Sequence, residues 1–305
     1  MIKKVVIPAA GLGTRLLPIT KELPKEMLPV FSRQNDEVCL KPMLQAVFDQ
    51  LYDVGFREFC IIVGRGKRAI EDHFTPDWAF VENLKRARKA SLVGELQDFY
   101  TKITSSTIVF VNQPEPRGFG DAVLKAEGFT GNEAFMVHAG DNLVLSTDND
   151  HLKGLMKVFE ELNADAVLLV QKVVDARMYG VVEGAALSEG IYRVEAMVEK
   201  PMEPRSNIAA IAIYVFKPRI YDEIERLTLK ETGETELTDA IQALIDRGGK
   251  VYAVELKNEK RVDIGTSERY WKALSTTYSS VSKHLKNPVY PQAQSSERQS
   301  SACYS

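Results

Sequence analysis

The chain is poor in the residues that build metal centres and disulfide frameworks, with 3 cysteines and 4 histidines among 305 residues. Cys39, Cys60 and Cys303 are far apart and odd in number, which excludes a disulfide scaffold and points to a reducing compartment, the cytoplasm. His73, His138, His151 and His284 are scattered and no Cys-x-x-Cys occurs, so a zinc site is excluded as well. No apolar run approaches the length of a membrane span, and the apolar segment after Lys3-Lys4 is too short for a signal peptide. Positive charge is not in excess: 39 Lys and Arg stand against 42 Asp and Glu, a formal charge of -3, which gives no reason to expect nucleic acid as a partner. Serine-hydrolase chemistry lacks its Gly-x-Ser-x-Gly elbow. A Walker loop is missing too, since Gly64-Arg65-Gly66-Lys67 has neither the spacing nor the hydroxyl.

What is present begins at residue 5. The apolar run Val5-Val6-Ile7 breaks into Pro8-Ala9-Ala10-Gly11-Leu12-Gly13-Thr14-Arg15, followed by Leu23-Pro24-Lys25-Glu26-Met27-Leu28-Pro29. A buried strand ending in small residues frees backbone N–H groups to face an anion, and Gly11 and Gly13 let it approach without a Cβ in the way. Arg15 adds a forked charge and Lys25 a point charge, a pair suited to several phosphate oxygens. The loop is not a dinucleotide fingerprint, because Leu16 stands where a third glycine belongs and Val63-Gly64 where an acidic residue would end the second strand. Taken alone, Gly11-x-Gly13 also fits a plain turn.

Short apolar runs at Val5 to Ile7, Phe59 to Val63, Thr107 to Val111, Phe135 to His138 and Ala166 to Val170 read as strands of a mostly parallel sheet. Helices are expected between them. One starts at Pro42, with Leu44, Val47, Phe48 and Leu51 on one face; another spans Asp150 to Leu162. The β-α-β-α order predicts an α/β doubly wound sheet, Rossmann-like, with its ligand beyond the carboxyl ends of the strands. The second half turns to alternating strands at Ile191 to Val198 and Ile208 to Phe216, which reads as an antiparallel addition to the same sheet. The helix through Leu237, Ile241 and Leu244 should end at Gly248-Gly249 in a left-handed cap. We expect one domain over residues 1–285, followed by a disordered tail over 286–305.

The string from Gly11 to Lys21, with Pro24-Lys25-Glu26-Met27-Leu28-Pro29, resembles the signature of sugar-1-phosphate nucleotidylyltransferases, most closely the UTP–glucose-1-phosphate uridylyltransferases. The likeness continues through Gln113 to Ala122, Gly140-Asp141, Tyr179-Gly180-Val181-Val182, Val198-Glu199-Lys200-Pro201, Glu236 to Ala240 and Asp263-Ile264-Gly265. It covers most of the chain, roughly residues 3 to 275. A helical, charged stretch at residues 76–105 resembles the uridylyl rather than the shorter thymidylyl members.

The resemblance implies attack by the phosphate of glucose 1-phosphate on the α-phosphorus of UTP, with pyrophosphate leaving. A phosphate monoester has a second pKa of about 6, so the nucleophile needs no general base at pH 7. The protein must hold two anions in line and offset their charge. Lys25 is assigned to the α-phosphate or sugar phosphate and Arg15 to the β- and γ-phosphates. Glu199-Lys200-Pro201 ends a strand, so adjacent side chains should fan apart, Glu199 toward sugar hydroxyls and Lys200 toward the sugar phosphate. By resemblance Asp141 and Asp263 hold magnesium, Mg²⁺, which takes one or two carboxylates plus phosphate oxygens. Each also reads as local structure, Asp141 in a turn and Asp263 as a helix N-cap. For the base, resemblance points to Ala10, Gly11, Gln113 and Gly118, the Gln113 amide pairing with both N3–H and a carbonyl of uracil. Gly180 would pass under the sugar.

Two departures stand out. Extra residues, Arg33 to Glu37, lie between Phe31 and Lys41, and Asp121 occupies a position where the family often has His or Gln, which leaves the preferred nucleotide open. The alternatives are thymidylyl transfer from dTTP and a regulator that binds nucleotide sugars without turnover; loss of Lys25 or either aspartate would favour the regulator, and all three are present. A homo-oligomer, dimer or tetramer, is also expected.

Overall fold

In the computed structural model, residues 2–34, 37–229 and 233–282 are described; the expected tail at 286–305 and Cys303 lie outside them. Among the described residues thirteen strands are formed. They are β1 (Lys4–Pro8), β2 (Pro29–Gln34), β3 (Glu37–Pro42), β4 (Glu58–Val63), β5 (Thr107–Asn112), β6 (Phe135–His138) and β7 (Asn142–Leu145), then β8 (Ala166–Lys172), β9 (Gly180–Ser188), β10 (Ile191–Glu199), β11 (Ile208–Phe216), β12 (Val251–Glu255) and β13 (Lys260–Asp263).

Nine of them form one sheet in the order β5-β4-β1-β6-β11-β8-β12-β10-β9. The half β5-β4-β1-β6 is wholly parallel, while β10 and β11 run against the rest, which is the expected antiparallel addition. The central strands are continuous apolar runs because both faces are covered. Alternation sends Val5 and Ile7 into one core with Phe59, Ile61 and Met136, and sends Val6 into the other with Cys60, Ile62 and Val137. Helices Met43–Asp53 and Asp150–Glu161 cover the first face; Ile220–Thr228 and Leu237–Asp246 cover the second.

The helix expected from Pro42 begins at Met43 instead, because Pro42 is still extended (ψ 142°) and closes β3. The cause is a β2–β3 hairpin that pairs Pro29 with Pro42, formed by the extra residues after Phe31; Asn35 and Asp36 lie outside the described residues. Gly248 takes the left-handed backbone (φ 75°) that ends helix Leu237–Asp246. The stretch at residues 76–105 supplies helices Trp78–Arg86 and Ala90–Thr104.

Candidate active site

The carboxyl ends of β1, β5 and β6 open on one side of the sheet, and the Gly11 loop, Gln113 and Asp141 follow them directly. Among the described residues, no backbone carbonyl accepts from the N–H groups of Ala10, Gly11, Leu12 or Gly13. These donors are therefore free to face an anion. The loop returns through Thr20, whose hydroxyl donates to the Gly13 carbonyl at 2.8 Å, and reaches a short helical turn, Lys25–Met27.

That turn points neighbouring side chains in different directions. Lys25 Nζ meets Asp141 Oδ2 at 2.5 Å, while Glu26 turns into the core and meets Lys67 Nζ at 2.8 Å. Glu26 is 1% exposed, so its charge is opposed by Lys67 rather than by water. Burial raises the Glu26 carboxyl above its usual range against the pull of Lys67 and Lys25. Burial would also raise Asp141, but Lys25 and Arg261 outweigh it and hold the carboxyl below its ordinary value. Lys25 shows the converse: burial disfavours its charge, and Asp141 and Glu26 more than restore it.

Asp263 reaches the same place from the far end of the chain. β13 pairs with β7 so that Asp263 lies opposite Asn142, one residue beyond Asp141. The Asp263 carboxylate accepts from the Gly265 N–H at 3.1 Å and lies 3.4 Å from both Arg261 and Arg269. Those two guanidiniums stand over the Tyr179 ring, at 5.5 and 5.4 Å from its centroid. Arg261, Arg269 and Tyr179 were not among the expected site residues. For Arg261 the signal was available, since it precedes Asp263 by two on one strand and so shares its face.

A cleft of about 210 Å³ brings together Arg15, Asp141, Gly180, Glu199, Lys200 and Asp263. Glu199 and Lys200 do not fan apart. Lys200 adopts a left-handed backbone (φ 41°), which folds its Nζ back to 2.6 Å from Glu199 and 3.2 Å from Glu236. Thr238 also donates to Glu199, at 2.6 Å. Gly180 sits opposite Glu199 in the β9–β10 register, and a Cβ there would come within 2.8 Å of the Thr238 hydroxyl. Its missing side chain thus makes room for the Glu199–Thr238 bond. Burial, then the neighbouring Glu199 charge, raises the Glu236 carboxyl.

The four residues expected at the base are not among those lining this cleft. Ala10 touches Gly64 at the end of β4, and the Gln113 N–H donates to the Val63 carbonyl at 2.8 Å; Gly11 stands beside the Lys25 side chain. Gly118 has a φ of 99° and lies so close to the 233–236 loop that a Cβ would come within 2.6 Å of the Thr235 carbonyl, so no other residue fits. The Gln113 amide is not free at both ends: its Nε2 donates to Asp121 at 2.7 Å and to the Gly118 carbonyl at 3.1 Å. That corrects the expectation of two bonds from this amide to the base.

Of the four carboxylates that line this cleft, Asp141, Glu199, Glu236 and Asp263, the β7–β13 pairing brings Asp141 and Asp263 near each other. Among the described residues there is no group of three or more His, Cys, Asp or Glu side chains that would form a metal cage. A pair of carboxylates suits an ion that completes its shell with phosphate oxygens and water.

Residues 4–280 match the profile of the Nucleotidyl transferase family. The chain is 36% identical to the UTP–glucose-1-phosphate uridylyltransferase of Streptococcus pyogenes, over 94% of this chain and 93% of that one. It is 35% identical to the enzyme of that name from Pseudomonas aeruginosa, over 93% and 98%. A UDP-glucose pyrophosphorylase crystallised with UDP-glucose superposes with a TM-score of 0.77 at 32% identity, covering 92% of this chain and all of that chain.

Proposed function

Since the chain belongs to the nucleotidyl transferase family, we propose a division of labour among its cleft residues for one reaction. It transfers the uridylyl group of UTP to glucose 1-phosphate, giving UDP-glucose and pyrophosphate. The sugar phosphate attacks the α-phosphorus directly, and the bond to the pyrophosphate oxygen breaks opposite it. The free N–H groups of the Gly11 loop, with Gly13 at its turn, and Arg15 receive the β- and γ-phosphates. Lys25 lies at the meeting point of the α-phosphate and the nucleophile, and offsets charge that grows there. Lys200 receives the sugar phosphate, exchanging its bonds to Glu199 and Glu236 for phosphate oxygens; Glu199 then accepts from sugar hydroxyls. Ala10, Gly11, Gln113 and Gly118 receive the base. Asp141 and Asp263 would hold magnesium, which when bound would supply positive charge to offset that of the phosphates.

One observation carries the assignment. The β13–β7 register sets Asp263 across from the residue after Asp141, and Lys25 closes on Asp141 from a third segment. Three residues from widely separated parts of the chain thus converge at the carboxyl ends of parallel strands, where ligands of such sheets bind. A single domain over residues 1–285 accords with two cores that each draw on both halves of the chain. The cytoplasm is the compartment we propose, supported by Cys39 and Cys60, both free thiols. A homo-oligomer, dimer or tetramer, is proposed on resemblance, and light scattering of the full chain reads it.

The test is pyrophosphate release with glucose 1-phosphate and Mg²⁺, offering UTP, dTTP, CTP, ATP and GTP in parallel. Highest kcat/KM with UTP is expected. A preference for dTTP would move the chain to the thymidylyl branch, and silence with all five would overturn the reading.

A further inference from the structure

Asp121 is 2% exposed, lies on helix Phe119–Leu124 and belongs to none of the roles above. One of its oxygens, Oδ1, pairs with Lys125 Nζ at 3.0 Å; the other, Oδ2, accepts from Gln113 Nε2 at 2.7 Å. Gln113 is itself 5% exposed, and its Nε2 also donates to the Gly118 carbonyl at 3.1 Å. The two groups flanking this end of the amide, a carboxylate paired with a lysine and a backbone carbonyl, are both acceptors. Only the NH₂ can face them, because the reverse orientation would set three oxygens against one another. The amide orientation is therefore decided by its surroundings, and Oε1 is the atom not engaged by Asp121 or Gly118.

From this we propose that Asp121 is a positioning residue for nucleotide choice: it holds Gln113 with Oε1 as a fixed acceptor facing ring position 3, so that the site admits a base with an N3–H and rejects cytosine. The proposal rests on Gln113 facing the base, as assigned above. Uracil and thymine both carry the N3–H that such an acceptor needs. Cytosine has a lone pair on N3, which would meet the lone pairs of Oε1. A residue able both to donate and to accept at position 121 would no longer demand the NH₂ there, leaving the Gly118 carbonyl alone to hold the amide, and would weaken that discrimination. Asp121 thus separates uracil from cytosine but leaves uracil and thymine alike, and any preference between those two comes from elsewhere.

The experiment measures kcat/KM for UTP, CTP and dTTP with the wild-type protein and with Asp121→Asn and Asp121→Ser. Asp121→Asn has the shape of the native residue but can donate as well as accept. It is expected to lower the UTP to CTP ratio at least about tenfold, because a fixed hydrogen-bond partner at a base edge discriminates by more than this. Asp121→Ser shifts the ratio the same way and serves if the first variant does not fold. In both variants the UTP to dTTP ratio and the KM for glucose 1-phosphate stay within about twofold, as a loss of general structure would not allow. An unchanged UTP to CTP ratio in folded Asp121→Asn or Asp121→Ser, beside a wild type that makes UDP-glucose, overturns the role of Asp121 alone. A wild type that makes no UDP-glucose from UTP overturns the reading on which it rests.

Discussion

Lys25 and Glu26 are neighbours in sequence with opposite duties, one facing the cleft and one facing the core. The reaction needs charge at Lys25 and Asp141 held in place before substrates arrive, since a charge that must reorganise during the reaction contributes less. Asp141→Asn and Lys25→Ala should each lower kcat by about 10²-fold or more, the scale for removing one preorganised electrostatic contact. Near-normal turnover in both would end the assignment. Glu26 supports Lys25 from behind, and Lys67 keeps Glu26 in place inside the core. Lys67→Met leaves that carboxylate buried without its partner, so unfolding in urea should show a loss of about 3 kcal/mol. Pairing Lys67→Met with Glu26→Leu should return part of it, because the uncompensated charge is then gone; a double variant weaker than the sum of the single ones would refute this account.

Elements enter the site through pairings that are distant in sequence. The C-terminal helix Ser267–Ser282 packs on the β2–β3 hairpin: Tyr270 donates to the Pro29 carbonyl at 3.1 Å, and the Phe31 and Tyr278 rings meet edge to face at 5.1 Å. Between them the buried Thr277 hydroxyl accepts from the Phe31 N–H at 3.3 Å and donates to the Ala273 carbonyl at 2.8 Å. The helix follows directly on the Asp263 turn, so this seam holds that turn to the loop carrying Lys25. Thr277→Val keeps the shape and removes the acceptor. It should lower the unfolding free energy by about 1–3 kcal/mol with Thr277→Ser near wild type, and a Val variant of unchanged stability would show that the bond is immaterial. This scale also separates what the sequence discloses from what it hides. Central strands such as Phe135–His138 were legible because burial on both faces leaves an unbroken apolar run. The site loops were legible because glycines, aspartates and lysines stand together at strand ends. The β2–β3 hairpin and the β7–β13 pair were not, since their stability comes from partners remote in the chain. Nor was the left-handed backbone of Lys200, a conformation that nothing in Glu199-Lys200-Pro201 requires by itself.

The whole molecule carries more acidic than basic residues, yet collects Arg15, Lys25, Lys200, Arg261 and Arg269 around one cleft and its edge. Its stability should also depend on pH, through two buried histidines. His138 ends β6 at zero exposure, and burial pushes its imidazole down to about 4; the bond between Nδ1 and the Ala139 carbonyl, 3.0 Å, opposes this only in part. His73, beside Gln45 at 3.0 Å, is likewise lowered to about 4 by burial. In the unfolded chain both rings would titrate near the ordinary value of about 6.5. Above that pH neither state binds the proton, and neutral histidine carries no penalty. As the pH falls from about 6.5 toward 4 the unfolded chain takes up protons that the folded chain refuses, so folding weakens. For the fully buried His138 the loss reaches about 3 kcal/mol by pH 4, at 1.36 kcal/mol per pK unit. Urea unfolding at a series of pH values between 7 and 4 should show this decline. His138→Leu should flatten it even if the variant is less stable at pH 7, because the group that takes up the proton is gone. A decline of equal steepness in that variant would assign the acid sensitivity to other groups.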